Sequence, residues 1–166
     1  GDGLTDIGYV TAGGVFAYRL HNGIVPDVLA SVTDANGNVS SLTYGSTAAT
    51  GSNTCYAEEG TEPTFPMSRT DRTQITACKL TQPNGIGGTY DTNFTYLNAN
   101  RDREGRGALG FAKRVTLDSR NSISSTEQYH QTFPYIGMLT QRDVTQPGGT
   151  LIERTVNTQD TLTAGT

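Results

Sequence analysis

Residues 105–138 constrain the fold of this chain more than any other stretch of its sequence. Two runs of alternating apolar and polar residues flank a short polar turn at residues 118–121. Glycines precede the first run, and Phe-Pro-Tyr follows the second. Alternation with a period of two is typical of strands that pack one face and expose the other. The stretch therefore predicts a β-hairpin, and its polar residues include neither a nucleophile–base pair nor metal-ligand spacing.

The same pattern recurs along the chain and predicts successive β-hairpins. The turns between runs are rich in glycine, and Asn36 with Gly37 supplies the positive φ that a tight hairpin turn needs. The predicted strands are residues 6–11, 15–20, 28–34, 38–44, 72–81, 89–97, 109–117, 122–133, 138–146 and 150–161. No segment has a helical period, and many runs exceed the usual five or six residues. We therefore predict an all-β fold, an extended antiparallel meander of long hairpins rather than a small closed barrel.

Alternation also predicts which apolar side chains share a face of the sheet. The predicted groups are Phe16, Tyr18 and Leu20; Val28, Ala30 and Val32; Tyr90, Phe94 and Tyr96; Phe111, Val115 and Leu117; and Ile123, Tyr129 and Phe133. Residues 45–71 lack this alternation and are rich in Ser, Thr, Gly, Glu and Pro. We predict an irregular loop there, and a polar loop at residues 98–107.

Cys55 and Cys78 are the only two cysteines. A disulfide between them would attach the loop to the next strand and stabilise the fold by roughly 3 kcal/mol on the chain-entropy model. Two buried free thiols are an equally good interpretation, because cysteine often serves as a small core residue. The sequence leaves both alternatives open.

The first six residues, Gly-Asp-Gly-Leu-Thr-Asp, resemble the second half of a calcium loop. Asp2 and Asp6 would supply two carboxylates, whereas calcium is usually held by 6–8 oxygens. A glycine-rich turn into a strand explains the same residues. His21 and His130 are the only histidines, and neither has a catalytic partner at a telling spacing. Calcium is therefore the only candidate cofactor, and no catalytic residue is predicted.

The charge pattern and hydropathy argue against two classes of protein: nucleic-acid-binding proteins and proteins with a transmembrane helix. The net charge is −4, and no cluster of Lys and Arg forms the basic stripe of a nucleic-acid-binding protein. No run approaches the roughly 20 apolar residues of a transmembrane helix. The opening residues show no signal-peptide pattern, and Gly-Asp-Gly resembles the middle of a motif. We therefore expect a piece of a longer protein.

Several motifs share an order and spacing with one known group of proteins. They are Asn84-Gly-Ile-Gly-Gly-Thr, Tyr96, Gly105-Arg-Gly-Ala-Leu-Gly-Phe111, Val115-Thr-Leu-Asp-Ser, Thr126-Glu-Gln-Tyr129 and Phe133-Pro-Tyr-Ile-Gly-Met138. Together they resemble the middle region of the B component of insecticidal toxin complexes and of related Rhs (YD-repeat) and Salmonella-virulence-plasmid-type toxins. Residues 1–7 resemble the end of an FG-GAP/integrin-like repeat, and residues 27–34 continuing into Tyr44 resemble the strand pair that follows it in that family.

The resemblance implies a division into residues 1–25, the tail of that repeat with the first hairpin, and residues 26–166, a sheet segment of a β-shell. It implies a non-catalytic structural segment of a secreted or cell-surface bacterial protein that helps to enclose or deliver a toxin. The implied partners are the rest of the parent protein and its toxin cargo. None of the family's catalytic residues maps onto this chain. Open strand edges also predict self-association.

A second hypothesis comes from the aromatic residues rather than from the resemblance. A β-module could bind a cell-surface glycan or receptor through Tyr90, Phe94 and Tyr96. Aromatic residues in phase along a strand more often face the core. The two hypotheses therefore differ in whether these rings are accessible.

Overall fold

The computed structural model describes residues 7–19, 27–48, 55–70 and 72–160. Every regular element in those ranges is a β-strand, which confirms the predicted all-β class. The strands are β1 (Ile7–Val10), β2 (Phe16–Arg19), β3 (Ser31–Thr33), β4 (Val39–Ser46), β5 (Tyr56–Ala57), β6 (Met67–Arg69), β7 (Ile75–Pro83), β8 (Thr89–Asp102), β9 (Gly107–Asp118), β10 (Ile123–Tyr129), β11 (Leu139–Thr145) and β12 (Leu151–Val156).

Ten of these strands form one large sheet, and β1 pairs with β2 in a separate hairpin. The main path of the large sheet runs β12-β11-β10-β9-β8-β7-β4-β3, and all neighbours along it are antiparallel. From β7 to β12, each strand lies beside the next strand in the chain. The predicted extended meander is therefore confirmed.

The centre of the sheet is the long β8–β9 hairpin, with strands of 14 and 12 residues. Its register runs from Thr92 opposite Asp118 to Asp102 opposite Gly107. The buried apolar side chains of the described residues all belong to this hairpin: Leu97, Ala99 and Leu109. The described core is therefore small and central, and most other apolar side chains are half-buried or exposed.

The predicted irregular loop over residues 45–71 is interrupted by three strand segments, whereas the other described residues of that segment lie outside strands. Strand β4 continues to Ser46, and β5 and β6 both pair with β8. Beyond the pair Lys79–Asn93, β7 no longer pairs with β8, so the second half of β8 has backbone groups without a partner from β7. Buried backbone N–H and C=O groups need hydrogen bonds. Strands β5 and β6 and the residues next to them supply partners, including Tyr96 N–H to Cys55 O at 2.8 Å and Thr70 N–H to Ala99 O at 2.9 Å.

The predicted loop at residues 98–107 is much shorter, because β8 continues to Asp102. The polar residues at its end are buried rather than solvated: Asn100 is 7% exposed and Asp102 is 6% exposed. Asn100 donates to Gln131 at 2.5 Å, and Asp102 accepts from Arg106 at 3.0 Å. Internal hydrogen bonds therefore replace water, and the strand continues through a polar sequence.

Several predicted apolar faces are exposed. Phe16 and Tyr18 of the separate hairpin are 71% and 65% exposed, and Leu20 lies outside the described residues. Val32 is also largely exposed, and it is the only member of its predicted group inside β3. Phe133 is exposed because β10 ends at Tyr129 and residues 130–138 form a loop. Alternation identified strands here without identifying a buried side.

Candidate functional site

An open cleft of about 230 Å³ lies beside the central hairpin. Its lining includes Tyr96, Phe111, Arg114, Tyr129, Gly110 and Gly137. The side chains come from β8, β9 and β10, and Gly137 comes from the loop after β10. Three aromatic rings and one guanidinium group therefore meet around a space that is accessible to solvent.

The strand register explains why these residues meet. Tyr96 lies opposite Arg114, Arg114 lies opposite Glu127, and Glu127 lies opposite Arg142. Residues directly opposite one another in an antiparallel pair point to the same face. The four side chains therefore form a row across β8, β9, β10 and β11, and Tyr129 lies on the same face as Glu127, two residues away.

Phe111 departs from the predicted face. Its ring centroid lies 4.8 Å from that of Tyr96, whereas Val115 and Leu117 pair with Thr95 and Asn93 on the other face of the sheet. The prediction that Phe111 shares a face with Val115 and Leu117 was therefore wrong.

The alternation is interrupted beside Phe111 by two residues with positive φ. These are Asn98 in β8, with φ of 55°, and Gly110 in β9, with φ of 80°. A residue in this left-handed region changes the direction of the strand and breaks the period of two. The pair Ala99–Phe111 lies between these two residues along the ladder, and the Phe111 ring forms an apolar wall of the cleft beside Tyr96.

One carboxylate oxygen organises the polar end of the cleft. Glu127 Oε2 accepts hydrogen bonds from Arg114 Nε at 2.9 Å, from Arg114 Nη2 at 2.5 Å and from Tyr129 Oη at 2.7 Å. The Arg114–Glu127 pair is partly buried, with side chains 41% and 19% exposed. These contacts fix both side chains in place, because hydrogen bonds between ionised groups are stronger than neutral ones.

The same contacts perturb the titration of the cleft residues. Burial raises the pKa of Glu127, but the hydrogen bonds from Tyr129 and Arg114, with the charges of Arg114 and Arg142, bring it below its ordinary value. Burial raises the pKa of Tyr129, and its hydrogen bond to Glu127 raises it further. Burial also raises the pKa of Tyr96. At neutral pH the cleft therefore contains a carboxylate, a guanidinium and two neutral phenols.

Three polar atoms at this end of the cleft form no hydrogen bond with the described part of the chain: Tyr96 Oη and Arg114 Nη1, on lining residues, and Glu127 Oε1, on the carboxylate that is bonded to the lining residues Arg114 and Tyr129. None of them is a buried atom without a partner, so each can reach water or a ligand. A hydroxyl, a donor and an acceptor therefore remain available beside the aromatic rings.

The other predicted site residues have different outcomes. Asp2 and Asp6, the candidate calcium ligands, lie outside the described residues, as does His21. Cys55 and Cys78 form a disulfide with a Cα–Cα distance of 5.4 Å, so the free-thiol alternative does not describe this structure. His130 contacts Gln159 through Nε2 at 2.8 Å. In residues 7–19, 27–48, 55–70 and 72–160, no group of three or more His, Cys, Asp or Glu side chains could hold a metal ion.

The three aromatic residues proposed for binding do not act as one group. Tyr90 lies under the guanidinium of Arg120, which is 4.4 Å from its ring centroid. Phe94 is half-buried opposite Thr116, and only Tyr96 lines the cleft. Alternation did not identify Arg114 and Glu127 as members of one cross-strand row with Tyr96. Their alignment depends on the register of three strands, which the period-two pattern alone does not provide.

Together, the described residues form an all-β protein with one ten-stranded sheet, a separate two-stranded hairpin and an open cleft lined by aromatic side chains. No helix in the described ranges is long and apolar enough to cross a membrane. No family model, no curated protein and no solved structure matches the chain.

Proposed function

We propose that this chain is a non-catalytic structural segment of a bacterial toxin-shell protein, which helps to encapsulate or deliver a toxin. The observation that carries the proposal is the single large sheet of long antiparallel strands. The motifs that resemble the toxin-shell family fall largely on its central strands and the turns between them. A wall one strand layer thick needs such continuous, hydrogen-bonded strands.

The proposed partners are the rest of the parent protein, which would extend the sheet, and the enclosed toxin. Within the described residues, β12 and β3 each pair on one side only, so backbone groups are available for a neighbouring strand at either edge and for a second copy at β3. The disulfide supports a secreted or cell-surface location, because disulfides persist in oxidising compartments. No nucleic-acid partner is proposed, because the charged residues form no basic stripe.

The parent protein provides the test. Sequencing on both sides of this segment should find an Asp-x-Asn that completes the calcium loop upstream and YD repeats downstream. In that parent, Leu97→Asp should break the sheet and expose an enclosed cargo to protease, because Leu97 is buried at its centre. Thr95→Asp is the matched control, because Thr95 is exposed on the same strand. A parent without repeats, or a cargo equally protected in both variants, would contradict the proposal.

A cell-surface glycan- or receptor-binding module is the second candidate function. The observation that favours it is the open cleft at Tyr96, with its free polar atoms. A glycan array tests it, with Tyr96→Ala as the variant and Tyr90→Ala as the matched control outside the cleft. Reproducible hits that Tyr96→Ala abolishes and Tyr90→Ala retains would support the module. An array without such hits would count against glycan recognition.

A further inference from the structure

We infer that the cleft between β8, β9 and β10 binds a single neutral sugar ring, with Tyr96 and Phe111 as its apolar walls and Arg114 and Glu127 as its polar contacts. This inference rests on the second candidate function and names its ligand class. It selects a saccharide over a protein receptor, and an uncharged saccharide over an acidic one.

The aromatic rings supply the apolar contact that a sugar needs. The planes of Tyr96 and Phe111 are inclined at 42°, with ring centroids 4.8 Å apart. Two inclined rings form adjoining walls instead of a flat stack, so part of each ring face remains accessible. The face of an aromatic ring is electronegative and attracts the weakly positive C–H groups of a sugar. The apolar side chain of a protein receptor also carries C–H groups, but it lacks the adjacent hydroxyls that the polar atoms of the cleft can bind.

The polar atoms match the hydroxyl groups of a sugar. Each hydroxyl donates one hydrogen bond and accepts others. Arg114 Nη1 offers a donor, Glu127 Oε1 offers an acceptor, and the two side chains are held together by the bonds to Glu127 Oε2. Two neighbouring ring hydroxyls could therefore bind side by side, one accepting from Arg114 and one donating to Glu127. Tyr96 Oη can do either.

The charges of the cleft favour a neutral ligand. The Arg114 guanidinium already neutralises Glu127 across 2.5 Å. An anionic sugar would compete with Glu127 for Arg114 and would place a second negative charge beside that carboxylate. A cationic ligand would meet Arg114 directly, with Arg142 on the far side of Glu127. An anionic ligand would disrupt the Arg114–Glu127 ion pair or face Glu127, and a cationic ligand would face Arg114. Both arrangements cost free energy in a partly buried site.

The size of the cleft limits the ligand to one ring. Its volume of about 230 Å³ is below the range of roughly 300–1,000 Å³ in which drug-sized ligands bind. The cleft is open on one side, so the remainder of a longer glycan can extend into solvent. Binding of one ring through a few contacts should be weak, with a dissociation constant of about 1 mM.

Ligand-observed saturation-transfer NMR tests the inference with the folded chain. The probes are the methyl glycosides of glucose, galactose, mannose and N-acetylglucosamine, with methyl glucuronide as the matched acidic probe. We expect at least one neutral glycoside to bind, and the glucuronide to bind about tenfold more weakly, which corresponds to about 1.4 kcal/mol.

Variants assign the binding to the cleft. Tyr96→Ala should reduce affinity by about tenfold or more, through loss of the ring contact. Tyr96→Phe keeps the ring and should reduce affinity by about threefold, through loss of one hydrogen bond, and it protects the test against misfolding of the alanine variant. Tyr90→Ala, which is outside the cleft, should bind as the unsubstituted chain does.

Three results would overturn the inference: equal binding of the glucuronide, unchanged binding by both Tyr96 variants, or no binding of any glycoside at about 50 mM. Array hits on acidic glycans that depend on Tyr96 would refute the neutral ligand and leave the second candidate function standing. An array without hits, together with no binding of any glycoside by NMR, would refute glycan recognition itself.

Discussion

The two edges of strand β8 are paired in different ways. On one side, β9 follows β8 after a short turn and pairs with it from Thr92 to Asp102. On the other side, three strands pair with it in succession: β7 with residues 89–93, β5 with residues 96–97, and β6 with residues 100–102. Strands β5 and β6 contain only two and three residues. A continuous partner covers one edge, and short segments cover the other.

Short strands contribute few hydrogen bonds, so side-chain contacts supplement them at the second edge. The disulfide joins Cys55, next to β5, to Cys78 in β7. Lys113 pairs with Glu59 at 2.6 Å, and the Glu59 N–H donates to Asn98 Oδ1 at 2.8 Å. The difference teaches that a hairpin partner is specified locally, whereas residues 55–70 are attached beside β8 by contacts distant in sequence: a disulfide to β7 and polar contacts to β8 and β9.

The largest expected effect comes from removing the disulfide with Cys55→Ser and Cys78→Ser together. The chain-entropy model predicts a loss of roughly 3 kcal/mol in the free energy of unfolding, measured by urea denaturation. Amide exchange tests whether the effect is local. The Tyr96 amide, which donates to Cys55 O, should exchange faster, whereas the amide of Leu97, which points toward β9, should remain protected. Equal acceleration of both amides would show that the two edges are not independent.

Gly110→Ala tests the side of β8 that pairs with β9. Gly110 has φ of 80°, and nothing lies within 4 Å of an added Cβ, so the cost is conformational strain rather than a clash. We expect a loss of about 1–2 kcal/mol in the free energy of unfolding. Gly13→Ala is the control, because Gly13 is also uncrowded and is not among the positive-φ glycines. Similar stabilities of the two variants would contradict a role for the left-handed conformation in the β8–β9 register.

Acid should weaken the β9–β10 contact before it weakens the attachment of residues 55–70 through the disulfide. The pKa of Glu127 lies below its ordinary value of 4.5 in the folded chain, so its ion pair stabilises the fold fully above pH 4.5. That contribution is lost as the pH falls through the lower folded pKa. Glu127→Gln should reduce this part of the pH dependence, measured as the free energy of unfolding between about pH 6 and pH 3. An unchanged pH profile would refute the assignment of this pH dependence to Glu127.

The smallest effect is expected from Lys113→Gln, which removes the ion pair with Glu59. The side chains are 29% and 55% exposed, so the loss should be about 0.2–1 kcal/mol and should diminish at high salt. Lys79→Gln is the matched control, because Lys79 pairs with Asp91 at 3.4 Å between β7 and β8. Only Lys113→Gln should accelerate amide exchange in β5. The same acceleration in both variants would count against a specific attachment.

The sequence predicted the hairpin partners well because their signals are local. Asn36 and Gly37 form the predicted turn between β3 and β4, where Gly37 has φ of 82°. The Pro-Gly-Gly turn likewise joins β11 and β12. A turn and two alternating runs carry enough information to pair neighbouring strands.

The pairing of β8 with the short strands β5 and β6 could not be predicted in the same way. Two or three residues are too short to show alternation, so β5 and β6 leave no periodic signal. The end of β8 reads as a polar loop because the partners of Asn100 and Asp102, namely Gln131 and Arg106, are known only from the fold. The cleft depends on the same kind of information, since Tyr96, Arg114 and Glu127 meet only through the register.

Strand β12 has a consequence for how a second chain could join the sheet. Consider two β12 strands that pair antiparallel about a two-fold axis. Opposite residues must then both have odd numbers or both have even numbers, because side chains that lie opposite one another share a face of the sheet. The two best-overlapping registers therefore place Glu153 against Glu153, or Arg154 against Arg154, although each Arg154 is already bound to Asp143. Like charges directly opposite are destabilising. Symmetry thus disfavours a homodimer at this edge and leaves it better suited to an unlike strand.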